Sequence, residues 1–502
     1  MLRLRKGMLA LLGLSSAALW GCAVGPERTT APPPTPSPPA SLAAAWQAPA
    51  AKVLQPHSAA SGAPVAASTD TTRTGAASSR SDWWQSLGDP LLPELVSAAQ
   101  MASADAAQAL ARLQRARASA AVAAAAQSPQ LGAQAGASHG RAALGQPVAT
   151  QASAGLQAQW ELDLFGAVAA GRDAALARQS AAAAGWHAVQ VAIAAETASL
   201  YTALRGCEAL LAQARLDSQS RDATARLTEL SARAGFTAPA DAALTRAGAA
   251  QARTSVLAQQ AACEAQLKSL VELTDLPEPQ LRQRLAARTA VLPSPRALSV
   301  PAVPAALLAQ RPDLADTARL VNAAAADQAQ AQARERPQVS LAGSIAGLVA
   351  RGGGAEVRGL TWNLGPISVS FPIFDGGARA AATASARASY DEAVALYQSQ
   401  VRRAVREVEA ALVSLQSTTD RQTDLNAAAQ DFEVFLRATE ARTRGGLGSL
   451  FELEIARRNA VQAQSALIDL QRERAVAWIS LYRALGGAWS ADDPSPGPGK
   501  SL

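Results

Sequence analysis

The sequence predicts a mainly α-helical protein that contains two copies of one structural unit and a smaller β part of the kind that crosses membranes. Two proline-free stretches, 166–236 and 373–493, predict unusually long helices. Four shorter tracts alternate apolar and polar residues with period two, which is typical of strands. Because both halves contain the same motifs, each half is expected to fold as strand, strand, long helix, tight turn and returning helix.

The duplication is visible as a nearly constant spacing between matching residues. Gly235 matches Gly446 (446 − 235 = 211), and Arg246 matches Arg457 (457 − 246 = 211). Solenoid repeats recur every ~20–50 residues, so a period this long indicates two copies of a whole unit. The predicted repeats are 82–290 and 291–490.

The first residues have the charge layout of a secretory signal. Basic residues precede an apolar run, 7–20, that is shorter than the ~20 residues of a membrane-spanning helix. The run ends in Leu19-Trp20-Gly21-Cys22, which resembles a bacterial lipobox. We therefore expect a signal peptide at 1–21 and lipidation of Cys22, the alternative being an ordinary secretory leader. Ala23 after the cysteine implies export to the outer membrane, where two or more acyl chains would anchor the protein stably.

The composition favours long, thin helices over a large core. Aromatic residues make up only 4% of the chain, and alanine dominates the 49% that is hydrophobic. Residues 22–81 are rich in Pro, Ala, Ser and Thr and predict an extended tether, and 491–502 predict a disordered tail. The net charge of +6 comes from arginines dispersed among acidic residues, which indicates solvated helix faces and no nucleic-acid partner.

The period changes several times along the ordered part. A helix is predicted from about 93 to 127, where Ser128-Pro129 ends it. The four predicted strands follow the alternation, which changes phase once, at Gly365-Pro366, where we expect a bulge or a bend. Their ranges are 130–139, 153–164, 338–348 and 361–374.

Four strands are too few for a membrane barrel. The smallest barrels have ~8 strands, and a spanning sheet cannot leave an edge in lipid, so the chain is expected to self-associate. Two copies would give eight strands and a filled interior, and three would give twelve and an open one. A helix of ~65 residues is ~100 Å long, far more than the ~30 Å hydrocarbon layer, so the helices must project into an aqueous space.

Several motifs together resemble those of one known family. They are the lipobox, Val24-Gly25-Pro26-Glu27, Trp84 to Asp89-Pro90, Trp160-Glu-Leu-Asp-Leu-Phe-Gly166, Leu307 to Leu314, Pro337 to Leu341, Pro372-Ile-Phe-Asp-Gly-Gly377 and Leu481 to Gly487. The resemblance is to the TolC family of outer-membrane efflux channels, and most closely to the NodT-type lipoproteins that serve resistance-nodulation-division pumps. One departure is Thr317-Ala318, where the family usually carries Ala-Glu, so one salt bridge of the family is in doubt.

The resemblance implies a homotrimer, lipid-anchored in the outer membrane, whose twelve strands form one barrel and whose helices form a periplasmic tunnel. A resistance-nodulation-division pump in the inner membrane and a periplasmic adaptor would load this duct with drugs or other small molecules. The duct itself would be passive and would need no cofactor. A passive duct of this kind would have no pocket that selects one substrate.

The far ends of the two helical hairpins carry the candidate site residues. Asp241 and Glu452 match acidic positions at the channel tip in similar proteins, where six carboxylates of a trimer would form a gate. The alternative is that each acid stabilises the N-terminus of its helix. The turns match the adaptor-docking segments of similar proteins, although their glycines could serve the turn alone. The turn residues are Gly235, Phe236, Thr237, Gly446, Leu447, Gly448 and Ser449.

Two cysteines remain after lipidation. Cys207 and Cys263 are equally far from Gly235, so they lie at one height in an antiparallel helical pair. The periplasm oxidises thiols, and we expect a disulfide here. Two small buried residues would fit the same pattern.

The sequence gives less support to three other functional classes. An enzyme is not indicated, because His57, His139 and His187 have no metal-ligand spacing and no nucleophile nearby. We therefore expect no catalytic residue, no cofactor and no metal. A duct for type I protein secretion would share the fold, but the lipobox favours the drug-pump branch. A structural coiled-coil lipoprotein that does not span the membrane would lack the four alternating strands.

Overall fold

The computed structural model describes residues 84, 87–141, 144, 148–294, 310–487, 489–490 and 496–497. The predicted signal peptide, Cys22 and the tether lie outside these residues, as does nearly all of the predicted tail. The described chain is mostly helical with four strands. Its elements are α1 Leu91–Ala102, α2 Ala104–Ala125, β1 Gln130–Gly140, β2 Ala149–Leu162, α3 Ala167–Arg233, α4 Pro239–Thr274, α5 Glu278–Ala286, α6 Pro312–Ala333, β3 Gln338–Gly352, β4 Ala355–Ser370, α7 Ala378–Arg444 and α8 Leu450–Ala484.

The element lengths repeat between the two halves. The long helices α3 and α7 both have 67 residues, and they begin 211 positions apart (378 − 167 = 211). The returning helices α4 and α8 have 36 and 35 residues, and α2 and α6 both have 22. The order of helix, two strands and helical hairpin is therefore present twice, as the sequence predicts.

The described chain divides into two compact units, and each unit takes segments from both repeats. The first unit contains the sheet and comprises Arg115–Ser180 and Ala318–Leu396. The second comprises the described residues within Pro38–Gln114, Ala181–Thr317 and Tyr397–Leu502, and it contains both hairpin turns. The largest hydrophobic core belongs to this second unit, with Trp478 and Leu92 among its buried residues.

The four strands form one antiparallel sheet in the order β1-β2-β3-β4. The predicted bulge is confirmed: Leu341 pairs with Ile367 and Gly343 pairs with Leu364, so two residues of β4 face one residue of β3. The phase change in the sequence thus reflects an extra residue, as expected for a bulge. The extra residue keeps the apolar side chains before and after the bulge on the same face of β4.

Several strand limits differ from the prediction. Strand β2 begins at Ala149, four residues before the predicted 153, and ends at Leu162, two residues before the predicted 164. The strands β3 and β4 continue to a two-residue turn at Gly353 and Gly354, both with positive φ, so the predicted gap from 349 to 360 is wrong. The prediction for β4 ran to 374, but the strand ends at Ser370. Pro372 follows closely and cannot donate a ladder hydrogen bond.

One predicted helix is two helices in the structure. The sequence predicted a single helix from about 93 to 127, but the chain becomes extended at Ser103, with ψ 124°. The Ser103 Oγ accepts a hydrogen bond from the Ala106 N–H at 3.3 Å. Serine competes with helical hydrogen bonding in this way, so it ends α1 and caps α2.

The sheet has two chemically different faces. On one face the register aligns Leu156 with Ile345 and Ile345 with Trp362. On the other face Ser344 pairs with Asn363, and the Ser344 Oγ donates to the Asn363 Oδ1 at 2.7 Å. Such a division fits lipid on one side and water on the other. Among the described residues, no helix combines the length and the apolarity needed to span a membrane.

Candidate functional site

The first hairpin turn, between α3 and α4, is a Schellman motif. Gly235 has φ +80°. Its N–H donates to the Ala232 carbonyl at 3.0 Å, and the Phe236 N–H donates to the Ser231 carbonyl at 2.9 Å. These bonds satisfy carbonyls that the end of a helix leaves without partners. The Thr237 hydroxyl lies 2.5 Å from the Ser231 hydroxyl and ties the turn to the end of α3.

The second turn, between α7 and α8, repeats this arrangement. Gly446 has φ +74°. Its N–H donates to the Thr443 carbonyl at 3.1 Å, and the Leu447 N–H donates to the Arg442 carbonyl at 2.9 Å. A Cβ at Gly448 would lie only 3.0 Å from the Thr443 Oγ1, so this glycine permits a close approach. The glycines of both turns therefore have a conformational role, as the sequence predicts.

The turns also expose large apolar side chains. Phe236 is 87% exposed, Leu447 is 78% exposed, and Phe451 in the next turn of helix is 64% exposed. In many Schellman motifs the residue after the glycine packs back onto the helix. Here Phe236 and Leu447 do not, so these side chains contribute little to the folding of their own turns. An exposed apolar cluster of this kind is a candidate contact surface.

Asp241 and Glu452 lie in the first turns of α4 and α8. The Ser449 Oγ caps α8 by accepting the Glu452 N–H at 3.1 Å. The Glu452 carboxylate is 3.8 Å from the Arg442 guanidinium. Both acids thus stand where a negative charge stabilises a helix N-terminus. A ring of carboxylates needs further copies of the chain and stays a prediction.

Two equivalent clusters of charged side chains lie near the two turns, and they were not predicted from the sequence. In the first hairpin Glu229 contacts Arg246 and, at 3.3 Å, Arg233. The hydrogen bond from Arg246 lowers the pKa of the Glu229 carboxyl. Each cluster joins the outgoing helix to the returning one.

The second hairpin contains the same cluster 211 positions later. Glu440 lies 3.5 Å from Arg444 and 3.7 Å from Arg457. In the sequence, Arg246 and Arg457 serve only as markers of the repeat. The signal that could have identified the clusters is the glutamate that recurs with the same offset (440 − 229 = 211).

Polar contacts also join the two hairpins to each other and show that α8 lies alongside α3. The Arg221 guanidinium is 2.9 Å from the Glu454 carboxylate and 2.8 Å from Asp217. The Arg457 Nη1 donates to the Thr224 Oγ1 at 2.6 Å. These side chains are mostly covered, with Arg221 and Glu454 each 15% exposed.

The two cysteines face each other across the first hairpin. The Cα atoms of Cys207 and Cys263 are 5.5 Å apart, and their Sγ atoms are within bonding distance. Both side chains are buried and pack with Leu211 and Val256. The Cα separation lies within the range that a disulfide requires.

Arg311, in the Arg311-Pro312-Asp313 motif, is anchored in the second unit by several partners. Its guanidinium lies 2.7 Å from Asp313 and 2.8 Å from Glu407, and it donates to the Ala484 carbonyl at 2.8 Å. The Gln400 amide donates to Asp313 at 2.8 Å. Position 318 holds alanine in this chain. The acids that the structure shows around Arg311 are Asp313 and Glu407.

No group of three or more His, Cys, Asp or Glu residues that could hold a metal ion is present in the described part of the chain. The geometry instead comprises long paired helices, two matching turns and an open two-faced sheet. The profile of the outer membrane efflux protein family matches 95–275 and 303–487, both repeats of the chain. The chain belongs to the outer membrane efflux protein family.

Individual relatives agree with this assignment. The efflux protein is 30% identical to the outer membrane protein OprJ of Pseudomonas aeruginosa over 467 residues, which cover 89% of this chain and 93% of OprJ. It is 28% identical to the toluene efflux pump outer membrane protein TtgC of Pseudomonas putida, with 96% of both chains covered. Among solved structures, the outer-membrane channel OprN matches with a TM-score of 0.73 and 28% identity, covering 81% of this chain and 92% of OprN.

The family assignment indicates where each part of the fold lies in the cell. The efflux protein is an outer-membrane channel component, and members of its family are channels rather than enzymes. The sheet, with one apolar and one polar face, is the part suited to the outer membrane, and the helical hairpins belong to the periplasmic side. The predicted class of protein and its cellular location are thereby confirmed.

Proposed function

We propose that three copies of this efflux protein form one passive channel through the outer membrane. The observation that carries the proposal is the open sheet: β1 and β4 are its edges, and within the described chain each pairs with one strand only. Unpaired strand edges are not tolerated in lipid, so each β4 must pair with β1 of another copy. Three copies give twelve strands and an open interior, whereas two would give a filled one.

The channel would carry drugs or other small molecules outward. Relatives named for efflux pumps, such as TtgC, support this substrate class. A periplasmic adaptor would dock on the two hairpin turns, where Phe236 and Leu447 are exposed. A resistance-nodulation-division pump in the inner membrane would supply the driving force. Lipidation at Cys22, which lies outside the described residues, would hold the assembly to outer-membrane lipid.

The test is a mass measurement combined with a conductance measurement on the purified mature protein. Native mass spectrometry in detergent should give three subunits, and the same sample should produce stepwise conductance in planar lipid bilayers. A stable monomer that gives no conductance would contradict the proposal. Restored drug resistance in a host that lacks its own channel would then test the direction of transport.

A further inference from the structure

The apolar face of the sheet becomes polar at one end. This outer end contains the turn between β3 and β4 at Gly353 and Gly354, and the helices join the strands at the opposite end. Two neighbouring rows across the apolar face hold uncharged residues that the register aligns: Ala133, Leu156, Ile345 and Trp362, and then Ala135, Ala154, Gly347 and Leu360. The last row of the same face, at the outer end, holds polar residues: His139, Thr150, Arg351 and Glu356. Charge begins one row earlier, at Arg358, which pairs with Val349.

The outer end of the sheet faces the outer leaflet of the membrane. The helices attach at the other end and belong to the periplasmic side, which fixes this direction. Glu356 is six residues from Trp362 along β4 (362 − 356 = 6), or about 20 Å at ~3.4 Å per residue. A charged side chain on the lipid face is costly at the middle of a membrane and is tolerated near its surface. Arg351 and Arg358 therefore lie at the level of the lipid headgroups.

Glu356 holds two arginines side by side. The Arg351 Nε donates to the Glu356 Oε2 at 2.8 Å, and the Arg358 Nε donates to the Oε1 of the same carboxylate. Within the part of the chain that the structure describes, the Nη atoms of both guanidiniums have no hydrogen-bond partner, and the two side chains are 65% and 68% exposed. Two positive charges share one negative charge, so the cluster keeps a net positive charge and N–H donors that can bind an anion.

We propose that Arg351 and Arg358 bind the phosphate group of a lipid in the outer leaflet. A planar guanidinium presents paired N–H donors that match the oxygens of a phosphate. The acyl chains of this lipid would lie on the apolar rows, against Val349 and Leu360. The site depends neither on transport nor on the number of copies in the assembly, so it goes beyond the proposed function.

The position of Arg358 favours a lipid over free phosphate. Its register partner is Val349, its next neighbour on the same face of β4 is Leu360, and both apolar side chains are exposed. An anion that binds Arg358 must therefore tolerate an apolar surface beside it. A phosphorylated lipid meets both conditions, because its headgroup carries the negative charge and its chains cover the apolar side chains. Free phosphate would neutralise the arginine but leave Val349 and Leu360 uncovered.

Native mass spectrometry of the mature protein, purified in detergent, tests this site. The probe is lipid A with its phosphates, and the same lipid without phosphates is the chemical control. Wild type should retain the phosphorylated lipid, and Arg351→Gln with Arg358→Gln should retain several-fold less. The matched control, Arg387→Gln with Arg402→Gln, removes the same charge from exposed positions of α7 and should bind like wild type. Excess inorganic phosphate should not displace the lipid.

The other outcomes count against the lipid site. Equal retention by wild type and by the Arg351 and Arg358 variant, or equal retention of lipid without phosphates, would overturn it. Displacement by inorganic phosphate would assign the arginines to free phosphate instead. A variant that loses subunits from the assembly would show that these arginines serve the contact between copies. Retention is measured per subunit whether the wild type is a monomer or a trimer, so failure of the lipid site and failure of the trimeric channel are distinguishable.

Discussion

Cys207 and Cys263 lie equally far from Gly235 along the chain, and their Cα atoms are 5.5 Å apart. The same positions in the second repeat hold Thr418 and Arg474 (418 − 207 = 211 and 474 − 263 = 211). The buried Thr418 hydroxyl donates to a carbonyl of its own helix, and burial lowers the pKa of the half-buried Arg474. At these positions the first hairpin can form a disulfide, and the second hairpin cannot because it has no cysteine there.

We expect a disulfide between Cys207 and Cys263, because the sulfurs are close and the periplasm oxidises thiols. Replacing both by serine should lower the free energy of unfolding by about 4 kcal/mol on the chain-entropy account. Hydrogen exchange should become faster in α3 and α4, while the second hairpin provides an internal control. Alkylation of both thiols in denatured, unreduced wild-type protein would show that no bridge forms.

The sequence predicted the elements that depend on local periodicity or on the glycines and prolines that interrupt regular structure. Alternation identified the four strands, the phase change at Gly365-Pro366 identified the bulge, and Gly235 identified a turn. Their equal distance from Gly235 along the chain also predicted that the two cysteines lie at one height. These features are readable because each depends on side-chain period or on a residue with restricted backbone geometry.

Features that depend on distant neighbours were not predictable in this way. Ser103 interrupts a stretch with strong helix-forming composition, and its capping role depends on how the chain continues. The contact of Arg221 with Glu454 joins residues in different repeats, and periodicity does not report which helices are adjacent. The burial of Thr224 likewise depends on a helix of the other repeat, because Arg457 of α8 donates a hydrogen bond to its hydroxyl.

The exposed turn residues should bind the periplasmic adaptor. Phe236→Asp and Leu447→Asp should abolish drug resistance in a complemented host while trimers still assemble, because neither side chain packs on its own turn. Met101→Asp on α1, at 65% exposed, is a matched control and should leave resistance unchanged. Normal resistance in the doubly substituted turn variant would remove the docking role from these residues.

The two tip acids should control the conductance of the channel. Asp241→Ala with Glu452→Ala should raise single-channel conductance and reduce the preference for cations, because a ring of six carboxylates attracts cations and narrows the mouth. Ser449→Ala removes only the helix cap and should cost about 1 kcal/mol of stability with little change in conductance. If the acid variant conducts like the wild type, the acids serve their helices alone.

The stability of the second unit should depend on pH through Asp313. Burial raises the pKa of this carboxyl, but hydrogen bonds from Arg311 and Gln400 and the attraction of Arg311 outweigh burial, so the net pKa is lowered. A lowered folded-state pKa means that the stabilisation is complete above the unfolded-state value of about 3.9 and is lost as pH falls through the folded-state value.

Asp313→Asn should therefore lower the free energy of unfolding by about 1–3 kcal/mol at pH 7, since it removes hydrogen bonds between charged groups and leaves Arg311 with fewer partners. Below about pH 3.9 the difference between variant and wild type should begin to shrink, because Asp313 of the unfolded wild type then takes up a proton, and it should be lost as pH falls through the lowered folded-state pKa. Urea unfolding followed by helical circular dichroism at several pH values measures both effects. Asp431→Asn, at an exposed position of α7, is the control and should track the wild type at every pH. A difference between Asp313→Asn and wild type that stays constant into strong acid would show that the charge of Asp313 does not stabilise the fold.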